Sequence, residues 1–451
     1  MNVNPDIFKA YDVRGLYPGE INEKVARLIG RAFAAYLQTP RIGVSRDMRV
    51  SSPALASAFI DGAREQGTDV IDYGMMGTDM LYFAVARDGL GGGAQITASH
   101  NPKQYNGVKM VRAGALPLSG DTGIGDIRDM IARDRLPPPA ARHGSLSTRT
   151  VVSEYVEKVM SFIDPSVVQP FSVVLDAGSG MASLVASALF DRLPCTVTKL
   201  CFDIDGTFPN HEANPLIEEN RRDITAEVLR RKADIGIAWD GDADRCFFID
   251  GSGEFISGDF VTALLAEAFL LKHPGSTVIY DLRASHAVRD VVAHHGGRAL
   301  MNRVGHAFIK RRMREANAIF GGEVTGHYYF RDFYYADNGL IPALLILELM
   351  SKKSQSLRGL LQPFRERYFI SGEINTKLVS MQEVPKRLAA IEAHYTDATI
   401  ARMDGVSVDY PDWHFNVRPS NTEPLLRLNL EAASPALMEQ RRDEVLALIR
   451  G

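Results

Sequence analysis

Three aspartates at a spacing of two, Asp240, Asp242 and Asp244, stand directly after the apolar run Ile235-Gly236-Ile237-Ala238-Trp239. Like charges crowded in one turn repel, and a hard cation such as Mg²⁺ or Ca²⁺ relieves that repulsion with oxygen ligands. An EF-hand also opens on alternating acids, but it needs glycine at its sixth position and glutamate at its twelfth, where this chain has Arg245 and Gly251. The spacing points to a metal loop of another kind, or else to a solvated acidic turn. Arg245 adds a planar guanidinium that matches phosphate oxygens in a bidentate fork.

A second polar concentration, Thr97-Ala98-Ser99-His100-Asn101-Pro102, is followed by Lys103, Tyr105, Asn106, Gly107 and Lys109. No Gly-x-Ser-x-Gly elbow surrounds Ser99, which disfavours ordinary acyl hydrolysis. Lys109 is close enough along the chain for a short loop to bring it back to Ser99, so the segment is a candidate reactive loop or a hydrogen-bonded connection between strands. In Gly322-Glu323-Val324-Thr325-Gly326-His327, a carboxylate, a hydroxyl and an imidazole lie among glycines. Carboxylates accept well from sugar hydroxyls and glycines let a ligand approach the backbone, although a structured turn has the same composition. In Arg418-Pro419-Ser420-Asn421-Thr422, a guanidinium, hydroxyls, an amide and backbone N–H groups have the makeup of an anion nest or of a capped turn. A lone Gly178-x-Gly180 lacks the third glycine of a dinucleotide fingerprint and no Walker A sequence occurs, so nucleotide binding is not expected.

The elements that must hold these loops are legible as a pattern that occurs three times. A β-rich run (Ile42 to Arg46, Val173 to Asp176, Thr277 to Asp281) leads to a helix-compatible stretch and a second β-like run (Asp69 to Asp72, Thr196 to Leu200, Ala299-Leu300). A third run then enters one of the polar loops. Strands alternating with helices indicate α/β units, and open α/β sheets bind ligands past the carboxyl ends of their strands. Ahead of the first unit, Val25, Leu28, Ile29, Ala32, Phe33, Tyr36 and Leu37 form one helical stripe with Asn22 as N-cap. The last ~85 residues break the pattern around the Arg418 loop, giving a fourth, α+β unit. Boundaries are expected near the proline-rich 136–139, the turn 251–258 and residues 362–368, dividing the chain into 1–148, 149–252, 253–366 and 367–451.

Composition agrees with several globular domains: 451 residues, 45% hydrophobic, 24% charged, net charge −4. That balance carries no electrostatic footprint for nucleic acid; Arg230-Arg231-Lys232 and Arg311-Arg312 read as solvated helix faces. Three scattered cysteines make no disulfide framework. No apolar stretch has the length of a membrane span, and Asp6 and Lys9 sit where a signal peptide would be apolar, so a cytoplasmic location without a membrane partner is expected.

Taken together and in order, the loops resemble those of the α-D-phosphohexomutases, the phosphomannomutases and phosphoglucomutases, over the whole chain. Tyr11-Asp12-Val13-Arg14-Gly15 is similar to that family's N-terminal signature, 97–102 to its phosphoserine loop, 240–245 to its metal loop, 322–327 to its sugar loop and 418–422 to its phosphate loop. The resemblance implies three related mixed α/β domains and a smaller C-terminal α+β domain around a central cleft. It implies that Ser99 carries the transferable phosphoryl group, and that Asp240, Asp242 and Asp244, with an oxygen on the Ser99 phosphate, bind one Mg²⁺. Arg14, His100, Lys109, Arg245, His306 and His327 would line the reacting centre, with Lys109 an acid/base whose pKa is drawn towards neutrality. Tyr11, Glu323 and Thr325 would contact the sugar, and Arg418, Ser420, Asn421, Thr422 and Arg427 its non-reacting phosphate. The chain departs from the family pattern at Thr325, where serine is commoner, and at Ala307, where a hydroxyl residue is frequent. The implied activity is reversible phosphoryl transfer between O1 and O6 of mannose phosphate, and of glucose phosphate, through a hexose 1,6-bisphosphate that also serves as activator. The expected assembly is a monomer or homodimer. The rival readings are a phosphoglucosamine mutase and a catalytically silent sugar-phosphate binding protein.

Overall fold

The structure, a computed structural model, describes residues 3–420 and 424–451. Four sheets follow one another along the chain, and the first three share one local design. In the first, Arg41–Arg46, Asp69–Met75 and Gly92–Ile96 run parallel, and residues 97–104 then turn the chain into Tyr105–Arg112, which runs back antiparallel. In the second, the parallel strands Ser172–Asp176, Thr196–Leu200 and Ile235–Trp239 lead through 240–245 into the antiparallel Cys246–Asp250. In the third, Thr277–Asp281, Arg298–Asn302 and Phe320–Gly322 lead through 323–327 into the antiparallel Tyr328–Phe330. The polar loops thus lie past strand ends, where the sequence places them. Each is also a reversal into an antiparallel strand, which the sequence does not disclose. Cys246–Asp250 and Tyr328–Phe330 are buried at every position, so neither shows the alternation that marks a half-exposed antiparallel strand.

The fourth sheet is wholly antiparallel, in the order Phe369–Lys377, Leu425–Ala432, Trp413–Pro419, Val406–Asp409, Thr399–Ala401, with the helices Glu383–His394 and Pro435–Arg450 alongside. Three α/β sheets and one α+β unit are the expected fold class. The boundary region near 362–368 is largely helix, since Leu357–Arg365 continues through Pro363 and only 366–368 precede the strand Phe369–Lys377.

The expected first helix is present as Glu23–Leu37, with Asn22 Oδ1 accepting from Val25 N at 3.2 Å. It packs on Ser52–Glu65 at backbone contact: a Cβ on Gly30 would stand 2.1 Å from Phe59 O, and one on Gly62 2.0 Å from Arg27 O. This pair covers one face of the first sheet with its own apolar cluster. The other face, with the helix Thr78–Arg87, belongs to a larger core that runs through the second sheet and the buried helices Gly258–Lys272 and Leu340–Lys353. The C-terminal unit has a separate core of its own. No helix of the described residues is long and apolar enough to cross a membrane.

One buried polar knot ties the first three units. Asn338 Nδ2 donates to Asp79 Oδ2 at 2.7 Å and to the Tyr155 hydroxyl at 2.8 Å, and Tyr155 in turn donates to Asp79. The Asn338 side-chain carbonyl accepts from Leu340 N and Ile341 N, capping the helix Leu340–Lys353. Replacing Asn338 by alanine strands these groups away from water and is expected to cost about 1–3 kcal/mol. A lowered thermal unfolding midpoint checks this; an unchanged midpoint would show that the knot bears no weight.

Candidate active site

Ser99 sits in the turn of the first sheet with φ of 50°, in the left-handed region that a non-glycine residue enters only when its surroundings require it. Those surroundings are specific. Ser99 N donates to Thr97 Oγ1 at 2.9 Å, and Arg49 Nη2 donates to Ser99 O at 2.8 Å. Arg49 is buried and also donates to the carbonyls of Asn101, Pro102 and Tyr105, while its Nε meets Asp47 Oδ2 at 3.2 Å. One guanidinium therefore shapes the whole serine loop. The Ser99 hydroxyl, so presented, donates to Asp240 Oδ2 at 2.8 Å and lies 3.2 Å from His100 Nδ1.

Asp240, Asp242 and Asp244 are buried, and one carboxylate oxygen from each lies within 4.8 Å of the other two. Lys109, from the strand Tyr105–Arg112, places its Nζ 2.7 Å from Asp242 Oδ2 and 2.5 Å from Asp244 Oδ2. Thr78 also donates to Asp242. Asp242 Oδ1 and Asp244 Oδ1 are buried without a hydrogen-bond partner. Oxygen donors this close, two of them orphaned, fit a hard divalent cation such as Mg²⁺. Burial, then the charges of Asp244 and Asp242, push the Asp240 carboxyl well above the ordinary range. Burial acts the same way on Asp242, but Lys109 overrides it and holds that group below the range.

Lys109 departs from its expected state. Burial works against its charge, but Asp242 and Asp244 outweigh it, and its pKa lies well above the ordinary lysine value rather than drawn towards neutrality. The pattern of residue types discloses the lysine; it does not disclose that two carboxylates from the next sheet clasp it.

From this cluster a chain of contacts reaches the other loops. Arg245 Nε donates to His327 Nε2 at 2.9 Å, and Cys246 N to Gly326 O at 3.1 Å, joining the aspartate loop to the glutamate loop. His327 Nδ1 lies 3.4 Å from Asp337 Oδ2, whose other oxygen is 2.8 Å from the buried Lys310 Nζ. Glu323 accepts from Gly305 N at 2.8 Å and from the Tyr329 hydroxyl. Val324 N donates to Asp281 Oδ2, which also pairs with Arg283. Arg283 Nη1 lies 3.7 Å from Glu373, and Glu373 receives Arg418 at 3.0 Å and Arg427 at 3.1 Å. Three guanidiniums thus share the carboxylates of Asp281 and Glu373, and Arg418 Nε and Arg427 Nε remain buried without partners. Ser420 is buried, with its N donating to Leu425 O at 3.0 Å. Asn421 and Thr422 lie outside the described residues.

Across the cleft, Tyr11 donates to Val304 O at 3.2 Å and meets the His306 ring edge-on at 5.4 Å. His306 begins the helix His306–Ala316, 6.4 Å from His327 ring to ring, with a buried, unpartnered Nδ1. Arg14 donates to Asn101 Oδ1 at 2.7 Å. Burial, with Arg245 and Arg14, pushes His100 well below the ordinary imidazole value. Thr325 lines a cavity of about 530 Å³ between the third and fourth units, together with Arg283, Glu373, Asn416 and Asn429. Sequence reasoning misses Arg49, Arg283, Glu373 and Asp337; the Asp-x-Arg spacings Asp47-Met48-Arg49 and Asp281-Leu282-Arg283, each just past or at a strand end, are the nearest signal.

Arg49→Met would strand Asp47 and free four carbonyls of the serine loop. The expected loss is about 3–5 kcal/mol of stability, the scale for breaking a buried ion pair, with faster proteolytic nicking within residues 97–105. Unchanged unfolding and unchanged nicking would show that the loop holds its own shape.

Four family descriptions match this chain in order: phosphoglucomutase/phosphomannomutase alpha/beta/alpha domain I over residues 5–136, domain II over 153–253, domain III over 257–368 and the C-terminal domain over 373–448. A phosphomannomutase of Escherichia coli is 44% identical, over 98% of this chain and 99% of that one. A protein of Xanthomonas campestris named for phosphohexose mutases is 45% identical over 98% and 99%. The crystal structure of a phosphoglucomutase/phosphomannomutase family protein from Burkholderia thailandensis superposes with a TM-score of 0.91 at 33% identity, covering 100% of this chain and 98% of that one.

Proposed function

This chain belongs to the phosphoglucomutase/phosphomannomutase family and is a hexose phosphate mutase, and on that premise we propose the substrates and the route of transfer. The substrates are mannose 1- and 6-phosphate and glucose 1- and 6-phosphate. The route is transfer of a phosphoryl group held on Ser99. The observation that carries this reading is the Ser99 hydroxyl, presented by a strained backbone 2.8 Å from Asp240 within a cluster of carboxylates and cations.

In the proposed reaction the P–Oγ bond of phospho-Ser99 breaks as a P–O bond to a free sugar hydroxyl forms, the hydroxyl proton passing to the freed Ser99 Oγ, giving a hexose 1,6-bisphosphate. The bisphosphate turns over in the cleft, its other phosphate returns to Ser99, and the isomeric monophosphate leaves. The same bisphosphate, supplied from solution, reloads a dephosphorylated enzyme. Asp240, Asp242 and Asp244 would hold one Mg²⁺, which supplies charge stabilisation to the transferring phosphoryl. Lys109, Arg245 and Arg14 add positive charge around the same oxygens, as a transition state with charge spread over three oxygens requires. Lys109, clasped as an ammonium, acts here as a cation rather than as a base. His100, 3.2 Å from Ser99 Oγ, is placed to exchange the proton that the serine gains and loses. His306, His327 and Tyr11 border the turning sugar. Arg418 and Arg427, with Ser420, Asn421 and Thr422, hold the distal phosphate in either orientation, since their surplus charge needs only a dianion and not a particular sugar face.

Intact mass of the protein treated with hexose 1,6-bisphosphate is expected to show one added phosphoryl group, mapped to Ser99. A phosphate mapped elsewhere, or full turnover by Ser99→Ala, would overturn the route.

Glu323 and Thr325 are proposed to grip O3 and O4, which occupy similar places after the sugar turns over. The Glu323 oxygens are each held by one protein donor and keep lone pairs for the sugar. Mannose and glucose differ at O2 alone, so both 1-phosphates are expected to turn over. Galactose inverts O4 and is expected to fall by up to ~10⁴-fold in kcat/KM, the scale on which sites built around hydrogen bonds reject a mismatch. Comparable turnover of galactose 1-phosphate, or strong discrimination between mannose and glucose, would show that the grip lies elsewhere on the ring.

A further inference from the structure

At the carboxyl end of the strand Ser172–Asp176, outside the phosphoryl-transfer cluster, three donors of different chemistry converge. His211 Nε2 lies 3.0 Å from Asp176 Oδ2 and 3.5 Å from Cys201 Sγ, and the three ligand atoms all lie within 4.8 Å of one another. A tetrahedral zinc ion, with bonds of ~2.0–2.3 Å to such donors, sets them roughly 3.3–3.6 Å apart. His211 Nδ1 lies 3.0 Å from the Glu212 carbonyl, an atom that only accepts, so Nδ1 carries a proton and Nε2 faces the cluster. Asp176 Oδ1 is taken by Gly178 N at 2.9 Å, which aims Oδ2 at the imidazole.

We propose that Asp176, Cys201 and His211 form a binding site for a soft divalent cation of the zinc class. A zinc ion there would be held by carboxylate, thiolate and imidazole. Thiolate and imidazole select zinc over magnesium, whereas the Asp240 cluster offers only carboxylates.

The site would also tie the ends of a loop that touches the serine-loop scaffold. Between Cys201 and His211, Phe208 lies under Arg49 at 5.4 Å from its ring centroid, and Gly206 packs so closely that a Cβ there would stand 2.3 Å from Met48 O. A cation clamping 201 to 211 therefore braces the arginine that shapes the Ser99 turn.

The test is Co²⁺ titration of the chelator-treated enzyme in excess Mg²⁺, followed by Zn²⁺ displacement. The expected result is a thiolate-to-cobalt charge-transfer band in the near ultraviolet, abolished by Zn²⁺. Cys201→Ser is expected to remove the band, and His211→Gln to weaken binding at least about tenfold. The Ser99→Ala enzyme is expected to keep the band, which separates this site from the phosphoryl-transfer reading. Absence of a band in the parent enzyme, or a band unchanged in both Cys201→Ser and His211→Gln, would overturn the proposal.

Discussion

Three carboxylates removed from water within one short turn are the constraint around which this molecule is arranged. Two unit charges about 4 Å apart repel by on the order of 4 kcal/mol at an effective dielectric near 20, and Asp240, Asp242 and Asp244 contain three such pairs. The chain answers from outside the turn. Lys109 reaches across from the first sheet to two of them, the Ser99 hydroxyl donates to the third, and Thr78 donates from the start of a helix. First and second units are therefore held together by charge as well as by their shared core. Pulling them apart would strand both a buried lysine and the acids it satisfies, a large penalty.

The polar loops are legible in the sequence because each is local: side chains a few residues apart, at the end of a strand, announce themselves by type. The first helix is legible for the same reason, its stripe and its Asn22 cap lying within one window. What is not legible are partners brought in from far away. Arg49 gains its role from carbonyls some fifty residues later, and Arg283 from a glutamate in the fourth unit. The antiparallel strands after the loops are hidden by uniform burial. The state of Lys109 is misjudged for a related reason, since its environment consists of residues 133 and 135 positions away. Tertiary electrostatics, rather than residue type, decides such a group.

The fourth unit stands apart in how it is attached. Its strands bury their own apolar cluster, and its link to the rest near the cleft includes the ion pairs of Arg283 with Glu373 and Arg289 with Asp409, beside the stacked rings of His286 and His414. Ion pairs of this partly wet kind are worth little individually and are readily exchanged for water or for a charged ligand. A unit with a closed core and a polar seam can move as a rigid body, the property needed of a wall that must open for a sugar and shut out water during phosphoryl transfer.

The core shared by the first three units also sets a timetable for synthesis. The helix Thr78–Arg87 stacks Phe83 on Phe333, and the hydrogen bond from Asn338 to Asp79 spans 259 positions. At a translation rate of about 5–20 residues per second, the earlier partner waits on the order of 10–50 s for the later one to be made. In that interval the nascent chain can close one face of its first sheet with the helices Glu23–Leu37 and Ser52–Glu65, while the opposite face is covered in stages, first by Tyr155 of the second unit and last by Phe333 of the third. The first unit is thus finished only when the segment carrying Phe333 and Asn338 emerges, whereas the C-terminal unit, with a core of its own, can complete itself as soon as its last helix is released.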